Sequence, residues 1–253
     1  MVSQKGLSDM ESINDLRGSQ LLERAAKANP RKVALTFNDE RLTYQELNEQ
    51  SDALAAGLSE LGIMKGDRVL VCLPNWPEFV VAFFASMKLG ATHVGVSTRL
   101  RSRELKFMLQ NTRTSTILVA TQFEEFNYME FLKQVRKDVP QLKNVIVVKG
   151  KPEDGTLSFD ELKEAGKNKK YPKTEIDPGK DLATLIYTSG TTGFPKGAMH
   201  THRSLFGAAG FCLSQAENLT SKDVVLGHIP MTVMFGAAIM CAAIFSQAGF
   251  VLI

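Results

Sequence analysis

The residues with the greatest capacity for chemistry lie between positions 187 and 197, in the segment Tyr-Thr-Ser-Gly-Thr-Thr-Gly-Phe-Pro-Lys-Gly. Its glycines let backbone N–H groups approach anionic oxygens closely, its hydroxyls donate further hydrogen bonds, and Lys196 adds a positive charge. The apolar, β-branched run at 183–187 predicts a buried strand before the loop, and a helix is expected from about Thr201. A strand, such a loop and a helix in succession form a cradle for phosphate groups. The loop is not a Walker A sequence, since Lys196 is followed by Gly197 instead of Ser or Thr.

A plain Ser/Thr/Gly turn between two elements is the alternative interpretation of a single Gly-rich stretch. The full string, however, resembles the phosphate-binding signature of the adenylate-forming enzymes, which include acyl-CoA synthetases, peptide-synthetase adenylation domains and luciferases. Every defined position of the core Thr-Ser-Gly-Thr-Thr-Gly-x-Pro-Lys-Gly is matched. The resemblance implies that seven residues bind the β- and γ-phosphates of ATP, namely Thr188, Ser189, Gly190, Thr191, Thr192, Gly193 and Lys196.

Shorter segments in the family's order extend this resemblance from about residue 20 to the end of the chain. They are Leu42-Thr43-Tyr44, Lys65-Gly66-Asp67-Arg68-Val69, Leu73-Pro74-Asn75, Met87-Lys88-Leu89-Gly90-Ala91 and Glu104-Leu105. The implied fold class is α/β: the N-terminal domain of the adenylate-forming fold, with parallel, helix-covered sheets in two subdomains. The family's Tyr-Gly-x-Thr-Glu motif does not occur in the chain. The chain is therefore interpreted as a truncated, N-terminal part of such an enzyme that lacks the small C-terminal domain.

The reaction that the resemblance implies has two steps. A carboxylate oxygen attacks the α-phosphorus of Mg²⁺-bound ATP, and pyrophosphate leaves to give an acyl-adenylate. The thiol of coenzyme A then takes the acyl group and releases AMP. Because the family's adenine-binding, Mg²⁺-binding and catalytic-lysine motifs would follow Ile253, no catalytic or metal-binding residue is assigned, and residues 1–253 alone are not expected to form an acyl-adenylate. Two alternatives stay open: an adenylation domain that loads a carrier protein, and a catalytically inert nucleotide-binding module.

The segment Pro230-Met231-Thr232-Val233-Met234-Phe235-Gly236 bears on the substrate. Val233 stands where the resembled family commonly has a histidine. No acidic residue follows Asp223, so a buried substrate ammonium would lack a partner and an amino acid is disfavoured. A carboxylic acid with an apolar tail is expected, most of all a medium- or long-chain fatty acid, with an alicyclic or aromatic acid as the alternative. The tentative substrate-binding residues, for which plain core packing is the other interpretation, are Val233, Met234, Phe235 and Gly236.

Strands and helices alternate along the chain, which indicates βαβ units and a largely parallel sheet covered by helices. A capping box at Thr43 and Glu46 begins one predicted helix, which ends near Gly62. Further strands are predicted at 68–73, 93–96, 116–120 and 144–148, and further helices at 77–89, 104–109, 124–137 and 158–164. The predicted division is residues 1–170 as a first subdomain, 171–180 as a linker, and 181–253 as the start of a second subdomain that carries the phosphate loop.

The composition of the chain limits its expected binding partners and its expected cellular location. The net charge of +3 gives no support for nucleic acid as a partner, so the expected partners are a small carboxylic acid, ATP and coenzyme A. Three widely spaced cysteines fit reduced thiols, and the polar first 14 residues hold no apolar leader, so a cytoplasmic location is expected.

The uncharged run at 229–253 is long enough to span a membrane. Pro230, Gly236 and Gly249 divide it, however, and we predict a buried helix at 234–245 and a buried strand at 250–253, with at most peripheral membrane contact. The edges of so apolar a strand invite self-association, so a homo-oligomer is also expected.

Overall fold

Two β-sheets with helices packed between and outside them make up the part of the chain that the computed structural model describes, residues 15–188 and 195–253. The helices are α1 Gly18–Ala28, α2 Tyr44–Glu60, α3 Pro77–Leu89, α4 Ser102–Thr112, α5 Tyr128–Val135, α6 Phe159–Gly166, α7 Cys212–Ala216 and α8 Met234–Phe245. A 3₁₀ turn at Arg136–Asp138 follows α5, and a π-helical segment at Arg203–Phe211 precedes α7.

The strands fall into two sheets and one short hairpin. They are β1 Val33–Phe37, β2 Glu40–Thr43, β3 Arg68–Cys72, β4 Thr92–Gly95, β5 Thr116–Ala120, β6 Gln122–Phe123, β7 Phe126–Asn127, β8 Asn144–Val148, β9 Leu157–Ser158, β10 Leu182–Thr188, β11 Lys196–Thr201, β12 Val224–Gly227 and β13 Gly249–Leu252. The larger sheet has the order β11-β10-β4-β3-β5-β8-β9, and the smaller has the order β12-β13-β1-β2.

The larger sheet is parallel except for the β10–β11 pair. Both faces of its central strands β4, β3, β5 and β8 are buried. Side chains alternate between the faces along each strand, as the pleat requires. In β3, Val69 and Val71 face the core between the two sheets, whereas Leu70 and Cys72 face a second core under α4 and α5. The predicted parallel, helix-covered sheet is therefore confirmed.

The core between the sheets is built around α3. Every residue of α3 except Glu78 is buried, because other elements surround this helix on all sides. Its one buried cation, Lys88, lies 2.8 Å from the carboxylate of Asp52 on α2. The capping box of α2 is confirmed, since the Glu46 N–H donates to the Thr43 hydroxyl at 3.2 Å and the Thr43 N–H donates to the Glu46 carboxylate at 2.8 Å.

Sheet membership does not follow the predicted division at residues 171–180. Strand β10, which comes after that stretch, pairs in parallel with β4 inside the larger sheet, with Ile186 opposite Gly95. The N-terminal strand β1 instead pairs with β13 at the other end of the chain. The stretch at 171–180 thus connects two strands of the larger sheet. The smaller sheet combines strands from both ends of the chain, β1 and β2 with β12 and β13.

The uncharged run at 229–253 forms the elements predicted for it. Helix α8 begins at Met234 and ends at Phe245, and β13 follows at Gly249–Leu252. None of the helices in the described ranges combines the length and apolar character needed to cross a bilayer.

Candidate functional site

The predicted phosphate loop joins the antiparallel strands β10 and β11, and Thr188 lies directly opposite Lys196 where the loop begins and ends. The Thr188 hydroxyl donates to the Lys196 carbonyl oxygen at 3.4 Å, and both residues are exposed. The remaining predicted phosphate-binding residues lie outside the described residues: Ser189, Gly190, Thr191, Thr192 and Gly193.

The strand predicted before the loop and the helix predicted from about Thr201 are both present, but an unpredicted strand separates the loop from the helix. The chain leaves the loop through a second strand, β11, and helical structure begins only at Arg203. At about 3.3 Å per strand residue, β11 separates the loop from that helix start by roughly 20 Å. The N-terminus of the helical segment at Arg203–Phe211 therefore lies away from Thr188 and Lys196, where the loop begins and ends.

Tyr187 holds the base of this hairpin against the rest of the sheet. Its ring lies over Gly197, the residue opposite it on β11, where a Cβ would be 3.3 Å from the ring. Its hydroxyl donates to the amide oxygen of Asn111 on α4 at 2.6 Å, and burial raises the pKa of Tyr187. The hairpin leaves the sheet at the carboxyl ends of β4 and β10, the edge where open α/β sheets place their ligands.

The four tentative substrate-binding residues lie in what we call the substrate segment, residues 230–236, and they do not all face one way. Val233 and Phe235 are 39% and 56% exposed, while Met234 packs against the core between the sheets. Gly236 is buried in the first turn of α8. Core packing thus accounts for Met234 and Gly236 and leaves the two exposed apolar side chains available to a ligand.

Gly236 is required by a close approach of two pieces of backbone. A Cβ at this position would lie 2.7 Å from the carbonyl carbon of Pro230 and closer still to its oxygen. We expect Gly236→Ala to lower the free energy of unfolding by about 1–3 kcal/mol, because this overpacking outweighs the better helix propensity of alanine. Urea unfolding followed by the fluorescence of Trp76, the only tryptophan, measures the change.

The control is Gly249→Ala, where a Cβ would meet its nearest atom, Val224 Cγ2, at an ordinary 3.5 Å. This variant is expected to keep or slightly raise the stability. A Gly236→Ala protein as stable as Gly249→Ala would contradict the close approach.

Two buried histidines, His93 and His202, lie near the substrate segment and at the end of β11, respectively. The sequence alone did not reveal that they are buried. His93 on β4 is 2% exposed, its ring meets Phe79 and Phe83 edge-on at 5.0 Å, and neither ring nitrogen has a hydrogen-bond partner among the described residues. Burial lowers the pKa of His93 to about 3. His202 accepts a hydrogen bond from the Gly18 N–H on Nδ1 at 3.0 Å, and burial lowers the pKa of His202 to about 4. Both imidazoles are therefore neutral at pH 7.

The resemblance also implies Mg²⁺. Within the described ranges, no three His, Cys, Asp or Glu side chains come together as a metal site. None of these residues is therefore assigned to the ion.

This chain belongs to the AMP-binding enzyme family, whose family model matches residues 22–253. It is 31% identical over 207 residues to the medium/long-chain-fatty-acid–CoA/3-oxocholest-4-en-26-oate–CoA ligase of Mycobacterium marinum, an alignment that covers 78% of this chain and 37% of that protein. It is 34% identical over 185 residues to the 2,3-dihydroxybenzoate-AMP ligase of Bacillus subtilis, covering 73% of this chain and 33% of that protein.

The described structure agrees with the family. The apo structure of MbtA from Mycobacterium smegmatis matches with a TM-score of 0.84 and 31% identity, over 94% of this chain and 44% of that one. The fold that the sequence resemblance implied, that of adenylate-forming enzymes, is confirmed. The chain spans less than half the length of each of these three proteins.

Proposed function

We propose that this chain supplies the N-terminal, phosphate-binding part of an AMP-forming acid–thiol ligase. The observation that carries the proposal is the intact signature at 188–197 in a chain that matches the family over residues 22–253. The hairpin that holds the signature leaves the sheet at its ligand-binding edge, which supports the same role.

In the first step a carboxylate oxygen forms a bond to the α-phosphorus of ATP, the bond to the bridging oxygen breaks, and pyrophosphate carries away the negative charge. In the second step the sulfur of coenzyme A attacks the acyl carbon and AMP leaves. Thr188 and Lys196, together with the loop residues 189–193, would bind and orient the β- and γ-phosphates, so that charge developing on the leaving group meets donors already in place. Mg²⁺, when bound with ATP, neutralises phosphate charge.

The proposed acid is a medium- or long-chain fatty acid, and the proposed compartment is the cytoplasm. The exposed Val233 and Phe235 and the lack of acidic residues between Asp223 and Ile253 support an apolar, uncharged tail. The similarity to a 2,3-dihydroxybenzoate-AMP ligase makes an aromatic acid the second candidate, with a carrier-protein thiol as the alternative acceptor.

A panel of acids in the ATP–pyrophosphate exchange assay, with the full-length protein, tests the substrate. We expect exchange with C8 to C16 fatty acids to exceed exchange with α-amino acids by at least about 10²-fold, since a buried ammonium without a partner costs several kcal/mol. Benzoate and cyclohexanecarboxylate distinguish the second candidate. Preference for an α-amino acid, or no exchange with any acid, would contradict the proposal.

A further inference from the structure

The side chain of Asn75 connects the two sheets just before the substrate segment. Strand β3 ends at Cys72, Pro74 prevents its continuation, and Asn75 follows. The Asn75 amide nitrogen donates to the carbonyl oxygens of Gly227 at 3.0 Å and Ile229 at 3.1 Å. The Asn75 amide oxygen accepts from the N–H of Met231 at 3.0 Å. One side chain just after β3 of the larger sheet thus makes three hydrogen bonds to the end of β12 and the connection from β12 to α8.

These three bonds need both a donor and an acceptor on one planar group. An asparagine amide offers two N–H donors and an oxygen with two lone pairs, so three of its four bonding capacities are used here. Aspartate has the same shape but would set a negative oxygen against two carbonyl oxygens. Each lost bond to a buried group costs about 1 kcal/mol, and an opposed charge costs more.

The substrate segment is held at both of its ends. Asn75 binds the N–H of Met231, and Gly236 lies against the backbone of Pro230. Between them Met231 and Thr232 are 3% and 6% exposed. A segment fixed in this way holds its two exposed apolar residues, Val233 and Phe235, in a defined place.

We propose that Asn75 is a positioning residue for the acid substrate: it fixes the substrate segment and so controls the affinity for the acid without contacting it. This inference rests on the proposed function, because it assumes that Val233 and Phe235 meet the acid. Replacing Asn75 would then weaken binding of the acid and leave binding of ATP largely unchanged, since the base of the phosphate loop is held separately by the hydrogen bond from Tyr187 to Asn111.

Amide hydrogen exchange tests the local part of the proposal on the 253-residue chain. In Asn75→Ala we expect exchange in a peptide covering 227–236 to be at least tenfold faster than in the wild type. The control is Asn144→Ala. The Asn144 side-chain amide donates to the Thr116 hydroxyl at 3.0 Å, and Asn144 lies at the amino-terminal end of β8, whereas Asn75 follows the carboxyl end of β3. Unchanged protection of 227–236 in Asn75→Ala, or equal loss in both variants, would overturn the proposal.

Kinetics of the full-length protein test the positioning. In the exchange assay we expect Asn75→Ala to raise KM for the acid about tenfold, and Asn75→Asp by more, while KM for ATP changes less than twofold. Asn144→Ala should change neither KM. Equal increases in both KM values, or none, would overturn the positioning role. If the wild type shows no ATP–pyrophosphate exchange with any acid, the proposed function is overturned instead. Amide hydrogen exchange alone would then decide whether Asn75 holds the substrate segment.

Discussion

The free energy of unfolding is expected to fall by about 4 kcal/mol between pH 7 and pH 5, because the folded chain keeps His93 and His202 neutral. Burial lowers the pKa of His93 to about 3 and that of His202 to about 4, whereas an unfolded histidine titrates near 6.5. Below pH 6.5 the unfolded state therefore binds protons that the folded state does not, and each histidine contributes a loss of about 2 kcal/mol by pH 5. The loss continues to about pH 4 for His202 and about pH 3 for His93.

Urea unfolding at half-unit pH steps, followed by Trp76 fluorescence, measures this dependence. His93→Leu removes one titrating group, and His202→Asn removes the other while offering an oxygen to the Gly18 N–H. Each variant should lose about half of the pH dependence. His228→Asn is the control, because that side chain is exposed. Burial also raises the pKa of Glu78. Protonation of this carboxyl group favours the folded state as the pH falls, which opposes the effect of the histidines. The differences between variants are therefore more informative than the total change in the wild type. Equal stability of the wild type at pH 7 and pH 5 would contradict the neutral, buried state of both imidazoles.

Lys196→Ala is expected to lower kcat/KM of acid-dependent ATP–pyrophosphate exchange by about 10²-fold in the full-length protein. In the proposed function Lys196 is a charged donor to phosphate oxygens on which charge develops, and removal of one such donor commonly costs about 10²-fold in rate. Lys196 is exposed at the end of the loop, so its removal should leave the stability unchanged. Thr191→Ala is expected to act in the same direction.

The matched control for this experiment is Lys180→Ala. Lys180 lies two residues before β10, its side chain is 85% exposed, and it pairs with Asp177 at 3.4 Å. It should leave exchange within twofold of the wild type. Wild-type exchange in both Lys196→Ala and Thr191→Ala would contradict a phosphate-binding role for the loop.

The elements that could be predicted from sequence are those with a strong local signal. Strands β5 and β8 have the predicted bounds, since each is a mostly apolar, β-branched run that is buried on both faces after its first residue. The hairpin of β1 and β2 was not predicted, although Asn38, which has a φ of +51°, and Asp39 form the kind of turn that marks such hairpins. The helix predicted from residue 124 begins only at Tyr128, because Glu124 has a φ of +50° in the turn of the small hairpin β6–β7.

The candidate site was only partly accessible to the same reasoning. The motif indicated the loop that we propose binds phosphate. Strand β11, however, is polar and mostly exposed, so no alternation revealed the strand that separates this loop from the next helix. Asn75 was found only as part of a short resembling string. Its role depends on three bonds to residues more than 150 positions away, and no local pattern encodes a contact of that range.

The pairing of β1 with β13 has a consequence for synthesis of the chain on the ribosome. Strand β1 ends at Phe37 and its parallel neighbour ends at Leu252, so the 215 further residues from 38 to 252 must be made before the smaller sheet can close. At typical elongation rates of about 5–20 residues per second, this takes roughly 10–40 seconds. During that time β2 can pair with one edge of β1, but the other edge, which pairs with β13 in the folded chain, has no partner strand and is open to holding chaperones.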